Sequence, residues 1–208
     1  MLAVVDYGAG NLRSVIHALR HLDAHDIEIV RDPTALDSAT SIILPGVGAF
    51  GAGMRILNET GLAAAVIGAV RRGVPYLGIC LGMQFLFDSS DEMGTHSGLG
   101  LLEGQVTRFS PTLGLKIPHM GWNQVDVVRD SPIFRDLPGA PYAYFVHSYY
   151  CVPTRTSDIT ATVDYGGEIC VAVQRDHIFG VQFHPEKSQT TGLKVLSNFL
   201  NFAQGATA

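Results

Sequence analysis

The alternation of short apolar segments with helical segments near the N terminus most constrains the fold of this chain. Short apolar runs recur as "MLAVVDY", "IEIV", "SIILPG" and "VPYLGIC". Between some of them lie segments such as "LRSVIHALRHL", in which apolar residues recur at helical spacing. Buried strands that alternate with helices are typical of a parallel sheet with helices on both faces. We therefore predict an α/β fold with a mostly parallel central sheet flanked by helices.

The second half of the chain has a different, β-rich pattern. After about Gly100, strand-like runs follow one another with Gly, Pro, Asp and Ser between them: "GQVTRF", "WNQVDVV", "AYFVHSYY", "DITATV", "EICVAVQ" and "IFGVQFH". An amphipathic helix, "GLKVLSNFLNFAQ", follows the last of these runs. A length of 208 residues suits one domain, and the sequence contains no repeat or linker. We predict a single domain over residues 1–208.

Charge and cysteine content exclude several classes of partner. The net charge is −5 and no basic cluster is stronger than Arg71–Arg72, so nucleic-acid binding is not expected. The N terminus lacks the features of a signal peptide, and no apolar run approaches the roughly 18–20 residues that span a bilayer. The three cysteines show no paired spacing, which fits a reducing compartment without disulfides or a zinc site. We expect a cytoplasmic protein with no membrane partner, metal or cofactor.

The early segment "GAGN", residues 8–11, lies between a predicted strand and a predicted helix, as the glycines of the dinucleotide-binding motif do. The third glycine of G-x-G-x-x-G is absent, so this segment does not predict nucleotide binding. We expect Asn11 to cap the N terminus of the helix instead.

One cysteine lies at a predicted strand-to-helix turn. Gly78 to Gly82 read G-x-C-x-G around Cys80, between the run "VPYLGIC" and a predicted helix "LGMQFLF". The same pattern with serine is a nucleophile elbow, a tight turn that needs small neighbours and displays its central side chain. A helix N terminus also favours the reactive thiolate, and the N–H of Leu81 could face an oxyanion. The alternative is an inert packed cysteine; the flanking glycines favour display.

A thiol nucleophile needs a base and a group that orients the base. In "FGVQFHPE", strand alternation puts Gln182 and His184 on one side, and Glu186 follows two residues after the histidine. Because functional groups collect at the carboxyl ends of parallel strands, His184 and Glu186 could lie beside Cys80. An isolated histidine at a strand end is the alternative. We predict a Cys80–His184–Glu186 triad.

The segment "LPGVGAFG", residues 44–51, could supply the second half of an oxyanion hole. It follows the run "SIIL" and has Gly46 and Gly48 on either side of Val47. Glycines allow a backbone N–H to turn toward a ligand without steric cost. Together with the N–H of Leu81 the segment would make a two-donor hole, whereas the simpler interpretation is a loop rich in turn residues.

Three segments, "PGVGAFG", "GICLGMQ" and "VQFHPEKS", resemble in order the signature segments of class I, triad-type glutamine amidotransferases. The resemblance implies that Cys80 attacks the side-chain amide of L-glutamine, with His184 as base and Glu186 as its orienting group. It also implies an oxyanion and substrate site, with these residues: Gly46, Gly48, Leu81, Gln84, Glu92, Ser148 and Tyr149.

Within that family, "KIPHMGWNQV" and "YFVHSYY" most resemble glutaminase subunits that serve histidine biosynthesis. The resemblance implies a heterodimer, in which ammonia passes through a protected channel to a separate cyclase/synthase subunit. That subunit is a (β/α)8 barrel of about 250 residues, too long to be contained in this chain. The interface residues that the resemblance implies are Asn11, His119, Met120, Trp122, Asn123 and Lys187.

Three alternatives keep the fold but change the function. The chain could be the glutaminase of another synthase, for example of pyridoxal phosphate, anthranilate, GMP or carbamoyl phosphate synthesis. It could be a stand-alone γ-glutamyl hydrolase. It could also be a redox-sensing relative that displays a cysteine, although a sensor needs no paired histidine and glutamate.

Overall fold

The structure is a computed structural model that describes residues 1–111, 114–137 and 139–206. Its helices are α1 (Leu12–His21), α2 (Phe50–Glu59), α3 (Leu62–Arg71), α4 (Leu81–Gln84) and α5 (Gln189–Gly205). Within these ranges no helix combines the length and the apolar character needed to cross a membrane. Gly61, at φ 77°, separates α2 from α3.

The strands follow the predicted division into two halves. They are β1 (Leu2–Val5), β2 (Ile27–Val30), β3 (Ser41–Gly46), β4 (Tyr76–Cys80), β5 (Ser89–Ser90), β6 (His96–Ser97), β7 (Gly104–Arg108), β8 (His119–Gln124), β9 (Asp126–Val127), β10 (Tyr142–His147), β11 (Tyr149–Pro153), β12 (Ile159–Asp164), β13 (Glu168–Arg175) and β14 (Ile178–Val181).

A mixed central sheet organises the described part of the chain. Its order is β2-β1-β3-β4-β14-β13-β12-β9. The strands from β2 to β14 in this order are parallel, whereas β13, β12 and β9 continue the sheet in antiparallel pairing. This confirms the predicted α/β fold, and the antiparallel extension comes from the β-rich second half.

Both faces of the sheet are buried, which explains why β1 is apolar throughout. Ala3 and Val5 belong to the core cluster that includes α2 and α3 residues. Leu2 and Val4 belong to the opposite cluster, which includes residues of α1 and α5. Full burial of a Val or Leu side chain stabilises a fold by about 1.5–3 kcal/mol, so this two-sided burial holds the strands in register.

Two smaller sheets stand beside the central one. β8 and β10 form an antiparallel ribbon, and β11, β7, β5 and β6 form a second small sheet. The predicted single strand "AYFVHSYY" is therefore wrong, because β10 ends at His147 and β11 begins at Tyr149. Ser148 connects the two sheets, and its carbonyl accepts a hydrogen bond from the N–H of Phe109 at 3.1 Å.

The helix after Cys80 is also shorter than predicted. The sequence suggested a helix over 81–87, but α4 ends at Gln84. The reason is tertiary: the carbonyls of Phe85 and Leu86 accept hydrogen bonds from the N–H groups of Leu99, Leu101 and Leu102. These carbonyls bond to a distant loop, so the helix does not continue.

The two glycines that flank Cys80 allow the closest backbone contacts of this turn. A Cβ added at Gly82 would collide with the carbonyl oxygen of Leu44 in β3. A Cβ added at Gly78 would collide with the carbonyl of Gly82. The G-x-C-x-G spacing is thus a packing requirement of the strand–helix turn.

Replacing Gly82 with alanine should destabilise the fold by about 1–3 kcal/mol or more, because the new methyl group overpacks a rigid backbone contact. Urea unfolding measures the change. Gly68→Ala in α3 is the matched control, since its Cβ would meet only Arg72 Nη1 at 3.6 Å. The control should be neutral or stabilising by about 0.5–1 kcal/mol. Equal stability of the two variants would contradict this account of the turn.

Candidate active site

Cys80 lies at the junction of β4 and α4 in a conformation that non-glycine residues rarely adopt. Its backbone has φ 54° and ψ −108°. Such a conformation costs about 1–3 kcal/mol and persists only where the surroundings enforce it. The thiol is largely buried, at 7% exposure, yet it lines a cavity. The turn therefore displays the sulfur to a cavity.

The cavity brings most of the predicted site residues together. Its volume is about 300 Å³, which suits a ligand of amino-acid size. The predicted residues that line it are Gly48, Cys80, Leu81, Gln84, Glu92, Ser148, Tyr149 and His184. Gly46 is buried at the end of β3, in register with Cys80. The segments that carry these residues are far apart in sequence, so the cavity is a product of the fold.

His184 and Glu186 form a buried pair at the edge of this cavity. His184 Nδ1 lies 2.8 Å from Glu186 Oε1, and the two side chains are 3% and 1% exposed. The main chain is fixed by a hydrogen bond from His184 N to Tyr144 O at 3.0 Å. The Ser188 hydroxyl donates to the His184 carbonyl at 2.6 Å. The histidine ring is therefore held in one orientation.

The electrostatic surroundings favour the protonated form of His184. Burial lowers the pKa of His184, but the neighbouring Cys80 sulfur and Glu186 carboxylate raise it more, to about 10. His184 Nε2 is buried and makes no hydrogen bond within the described residues. This nitrogen is thus available to exchange a proton with a reacting group, while Nδ1 is paired with Glu186.

Glu92 and Gln84 line the cavity, and some of their polar atoms already form hydrogen bonds within the protein. Glu92 Oε2 accepts a hydrogen bond at 2.6 Å from the N–H of Phe50, the first residue of α2. Gln84 Nε2 donates to the carbonyl of Tyr149 at 3.1 Å and to Gln182 Oε1 at 3.0 Å. Both hydrogens of the Gln84 amide are thus engaged, which leaves its oxygen as the acceptor for a ligand.

Two of the predicted interface residues lie on the exposed face of the β8–β10 ribbon, and a third is exposed beside it. Met120 is 54% exposed and Trp122 is 49% exposed. Lys187 is exposed, and its Nζ lies 5.7 Å from the centroid of the Tyr144 ring. Asn123 is half-buried. This group of apolar and cationic side chains is a suitable surface for a protein partner.

Two of the predicted interface residues differ from expectation. His119 is only 4% exposed, and its ring is stacked on those of Tyr165 and Phe145, with centroids 4.0 and 4.8 Å apart. Its side chain therefore presents almost no surface to a partner. Asn11 is half-buried at the N-cap position of α1 but makes no side-chain capping bond. Its Oδ1 accepts from the Ser14 hydroxyl at 2.9 Å instead.

Sequence reasoning missed two further polar residues of this region. His147 is buried, with Nδ1 2.8 Å from the Tyr149 carbonyl and Nε2 3.0 Å from His119 Nδ1. Burial lowers the pKa of His147 to about 3. Gln182 is fully buried and donates through Nε2 to Cys80 Sγ at 3.6 Å. Strand alternation places Gln182 on the same side as His184 but assigns it no role, whereas no local pattern identifies His147.

In the ranges that the structure describes, no three His, Cys, Asp or Glu residues are arranged as ligands of one metal ion. The chemistry that the cavity offers is that of a thiol beside a buried imidazole–carboxylate pair. This combination is typical of enzymes that transfer acyl groups through a thioester.

The fold and the cavity of this chain are thus those of thiol-dependent acyl-transfer enzymes. The sequence model of the family "Glutamine amidotransferase class-I" matches residues 3–202, and the chain belongs to this family.

Within this family, the chain is similar over most of its length to relatives that share one name. The chain is 51% identical to imidazole glycerol phosphate synthase subunit HisH of Moorella thermoacetica, over 95% of this chain and 93% of that protein. It is 46% identical to the subunit of the same name from Syntrophotalea carbinolica, over 96% and 98%. A crystal structure of a glutamine amidotransferase, 22% identical, superposes with a TM-score of 0.77 over 97% of this chain and 98% of that one. The last similarity concerns the fold alone.

The pKa values of the two histidines of the cavity should be displaced in opposite directions from the ordinary value. At neutral pH we expect His184 to be protonated and His147 to be neutral, because their pKa values are about 10 and about 3. NMR spectra of ring-labelled histidine across a pH series measure both. Glu186→Gln should lower the pKa of His184 by removing its carboxylate, while His147 stays neutral. A His184 that is neutral at pH 7 in the wild-type protein would contradict this account.

The same shift sets a pH dependence of stability. The folded-state pKa of His184 lies above the ordinary value of 6.5, so its stabilising contribution is complete below pH 6.5 and is lost toward pH 10. The slope is at most about 1.4 kcal/mol per pH unit for one proton. Urea unfolding at a series of pH values measures the free energy of unfolding of the wild-type protein and of His184→Asn. From pH 6.5 toward pH 10 the wild-type value should fall more steeply with pH than that of the variant, by at most this slope. The same pH dependence in both proteins would contradict this account.

Proposed function

We propose that this chain is the glutaminase subunit of imidazole glycerol phosphate synthase. It hydrolyses L-glutamine to glutamate and ammonia, and it delivers the ammonia to a separate cyclase subunit in histidine biosynthesis. The similarity to two HisH subunits over nearly the whole of each chain carries this proposal. The cavity at Cys80, of a size that suits an amino acid, is consistent with it.

In the proposed mechanism Cys80 is the nucleophile. The thiolate adds to the side-chain amide carbon of glutamine and forms a tetrahedral oxyanion. His184 gives a proton to the departing ammonia, which leaves a γ-glutamyl thioester, and then takes a proton from water that hydrolyses it. Glu186, 2.8 Å from His184 Nδ1, orients the ring and stabilises its charged form.

Backbone N–H groups would stabilise the oxyanion. Leu81 follows Cys80 at the start of α4, and Gly48, at φ 99°, is in the loop after β3. A Cβ at Gly46 would lie only 2.6 Å from Tyr7 Oη, so this position needs glycine for packing beneath the loop. One oxyanion donor typically contributes about 10²–10³ in rate, or about 2.7–4 kcal/mol.

The amino-acid end of glutamine is assigned to the far wall of the cavity. We propose that Glu92 binds the α-ammonium, since carboxylates pair with such cations. The backbone near Ser148 and Tyr149 would bind the α-carboxylate. The Gln84 amide oxygen is an additional acceptor, because its nitrogen is engaged by Tyr149 and Gln182.

The partner surface is proposed to centre on the exposed face of the β8–β10 ribbon. Met120, Trp122 and Lys187 supply its apolar and cationic groups, and Asn123 and Asn11 are its polar margin. His119 supports this surface from within rather than contacting the partner. A (β/α)8-barrel subunit would cover the ribbon and receive ammonia through a channel closed from solvent.

We also propose one domain over residues 1–208 and a cytoplasmic location. One central sheet joins both halves of the chain, with a core on each face. Cys80, Cys151 and Cys170 are free thiols, which is compatible with a reducing compartment.

A coupled assay tests the function and the partner together. The cyclase subunit alone should use free ammonia but not glutamine. Adding this chain should make glutamine a nitrogen source, and the cyclase subunit with its nucleotide ligand should raise glutamine hydrolysis well above that of the isolated chain. Equal hydrolysis in isolation would favour a stand-alone hydrolase. Activation by another synthase only would overturn the assignment.

Trp122→Ala tests whether the exposed face of the β8–β10 ribbon binds the cyclase subunit. The affinity is measured by titrating that subunit in the coupled assay. Loss of an exposed aromatic anchor typically costs about 2 kcal/mol or more, so subunit affinity should fall by at least about tenfold. Ile29→Ala is the control, because Ile29 is similarly exposed, at 47%, but lies on β2 at the edge of the central sheet. Equal affinities of the two variants would exclude the ribbon as the interface.

A further inference from the structure

Gln182 is a buried polar residue that the mechanism above does not use. It follows β14 and is two residues before His184, and its side chain is 0% exposed. Its Nε2 lies 3.6 Å from Cys80 Sγ, a distance typical of a hydrogen bond to sulfur. Burial of an amide costs free energy unless its polar atoms are paired, so this contact is part of how the residue is accommodated.

The orientation of the Gln182 amide follows from its neighbours. The Tyr149 carbonyl can only accept, so the Gln84 atom that lies 3.1 Å from it is the nitrogen. The same nitrogen lies 3.0 Å from Gln182, which must therefore present its oxygen there. The Gln182 nitrogen consequently faces the sulfur, and an N–H donor points at the proposed nucleophile.

The Tyr149 carbonyl is itself held by a second donor. His147 Nδ1 donates to it at 2.8 Å, which leaves His147 Nε2 as an acceptor for His119 Nδ1 at 3.0 Å. Asn123 Nδ2 lies 3.4 Å from His119 Nε2, and Asn123 is a half-buried residue of β8. Hydrogen bonds thus connect the β8–β10 ribbon with the sulfur of Cys80, and they meet at the Tyr149 carbonyl, which accepts from both His147 and Gln84.

We propose that Gln182 is a further catalytic residue, whose amide N–H stabilises the Cys80 thiolate. Gln84 and His147 are positioning residues that fix the orientation of this donor. A hydrogen bond to a charged acceptor is stronger than one to a neutral acceptor, so the donor favours the thiolate over the thiol. It also holds the sulfur in one place before glutamine binds. The inference rests on the proposed role of Cys80 as nucleophile.

Other titratable groups surround Cys80 and are unchanged by a substitution at Gln182. They are Tyr7, Glu92, His147, Cys151, His184 and Glu186. A comparison between variants at residue 182 and the wild type therefore isolates the effect of the amide. Cys151 and Cys170 do not interfere, because burial raises the pKa of both thiols, that of Cys170 to about 12.

The test is the rate of Cys80 alkylation by iodoacetamide as a function of pH, measured on the full chain by mass spectrometry of the Cys80 peptide. In Gln182→Met the pH midpoint should rise by about one unit or more, equivalent to about tenfold less thiolate below the midpoint. Gln174→Met is the matched control, because Gln174 is on β13 and its Nε2 bonds to Asp176 O. Its midpoint should equal that of the wild type.

Gln182→Leu also removes the donor, adds no charge and decides the question if Gln182→Met does not fold. Because no side-chain N–H then faces the sulfur, this variant should also raise the midpoint. Unchanged midpoints in the folded variants would overturn the role of Gln182 alone. If iodoacetamide did not alkylate wild-type Cys80 at any pH, the proposed nucleophile itself would be wrong, and the two failures are thus distinguishable.

Discussion

The close backbone contact between the start of α4 and the end of β3 determines the rest of the site. Gly82 approaches the carbonyl of Leu44 so closely that no side chain fits between them. This contact lets the chain turn sharply at Cys80, which adopts φ 54° at the carboxyl end of β4. Because β4 lies between β3 and β14, the turn brings the glycine loop, the thiol and the segment of His184 to one edge of the sheet.

That edge contains two histidines whose surroundings have opposite effects. His184 is paired with Glu186 and lies near Cys80, so it favours the charged form despite its burial. His147 has carbonyl and histidine neighbours, so burial dominates and it stays neutral. The charged ring can exchange protons with a substrate, whereas the neutral ring can act as both donor and acceptor in a fixed chain of hydrogen bonds. In this cavity His184 thus exchanges protons, whereas His147 holds the surrounding hydrogen bonds in place.

Local patterns predicted the parts of this structure that depend on neighbouring residues. The glycines around Cys80, and the pairing of His184 with Glu186, could be inferred because each motif spans a few positions. The length of α4 could not, since the carbonyls of Phe85 and Leu86 bond to a loop beyond residue 98. The burial of His119 depends on rings of Phe145 and Tyr165, which the pairing of distant strands brings together. No local spacing contains that information.

The central claim is that Cys80 attacks glutamine bound in this cavity. The most direct test is covalent labelling of the full chain with a glutamine-derived diazo-ketone, followed by peptide mass spectrometry. We expect a single label on the Cys80 peptide, protection by free glutamine, and no label in Cys80→Ser, which should melt at nearly the same temperature. Labelling of Cys151 or Cys170 in place of Cys80, or labelling that glutamine does not reduce, would contradict the claim.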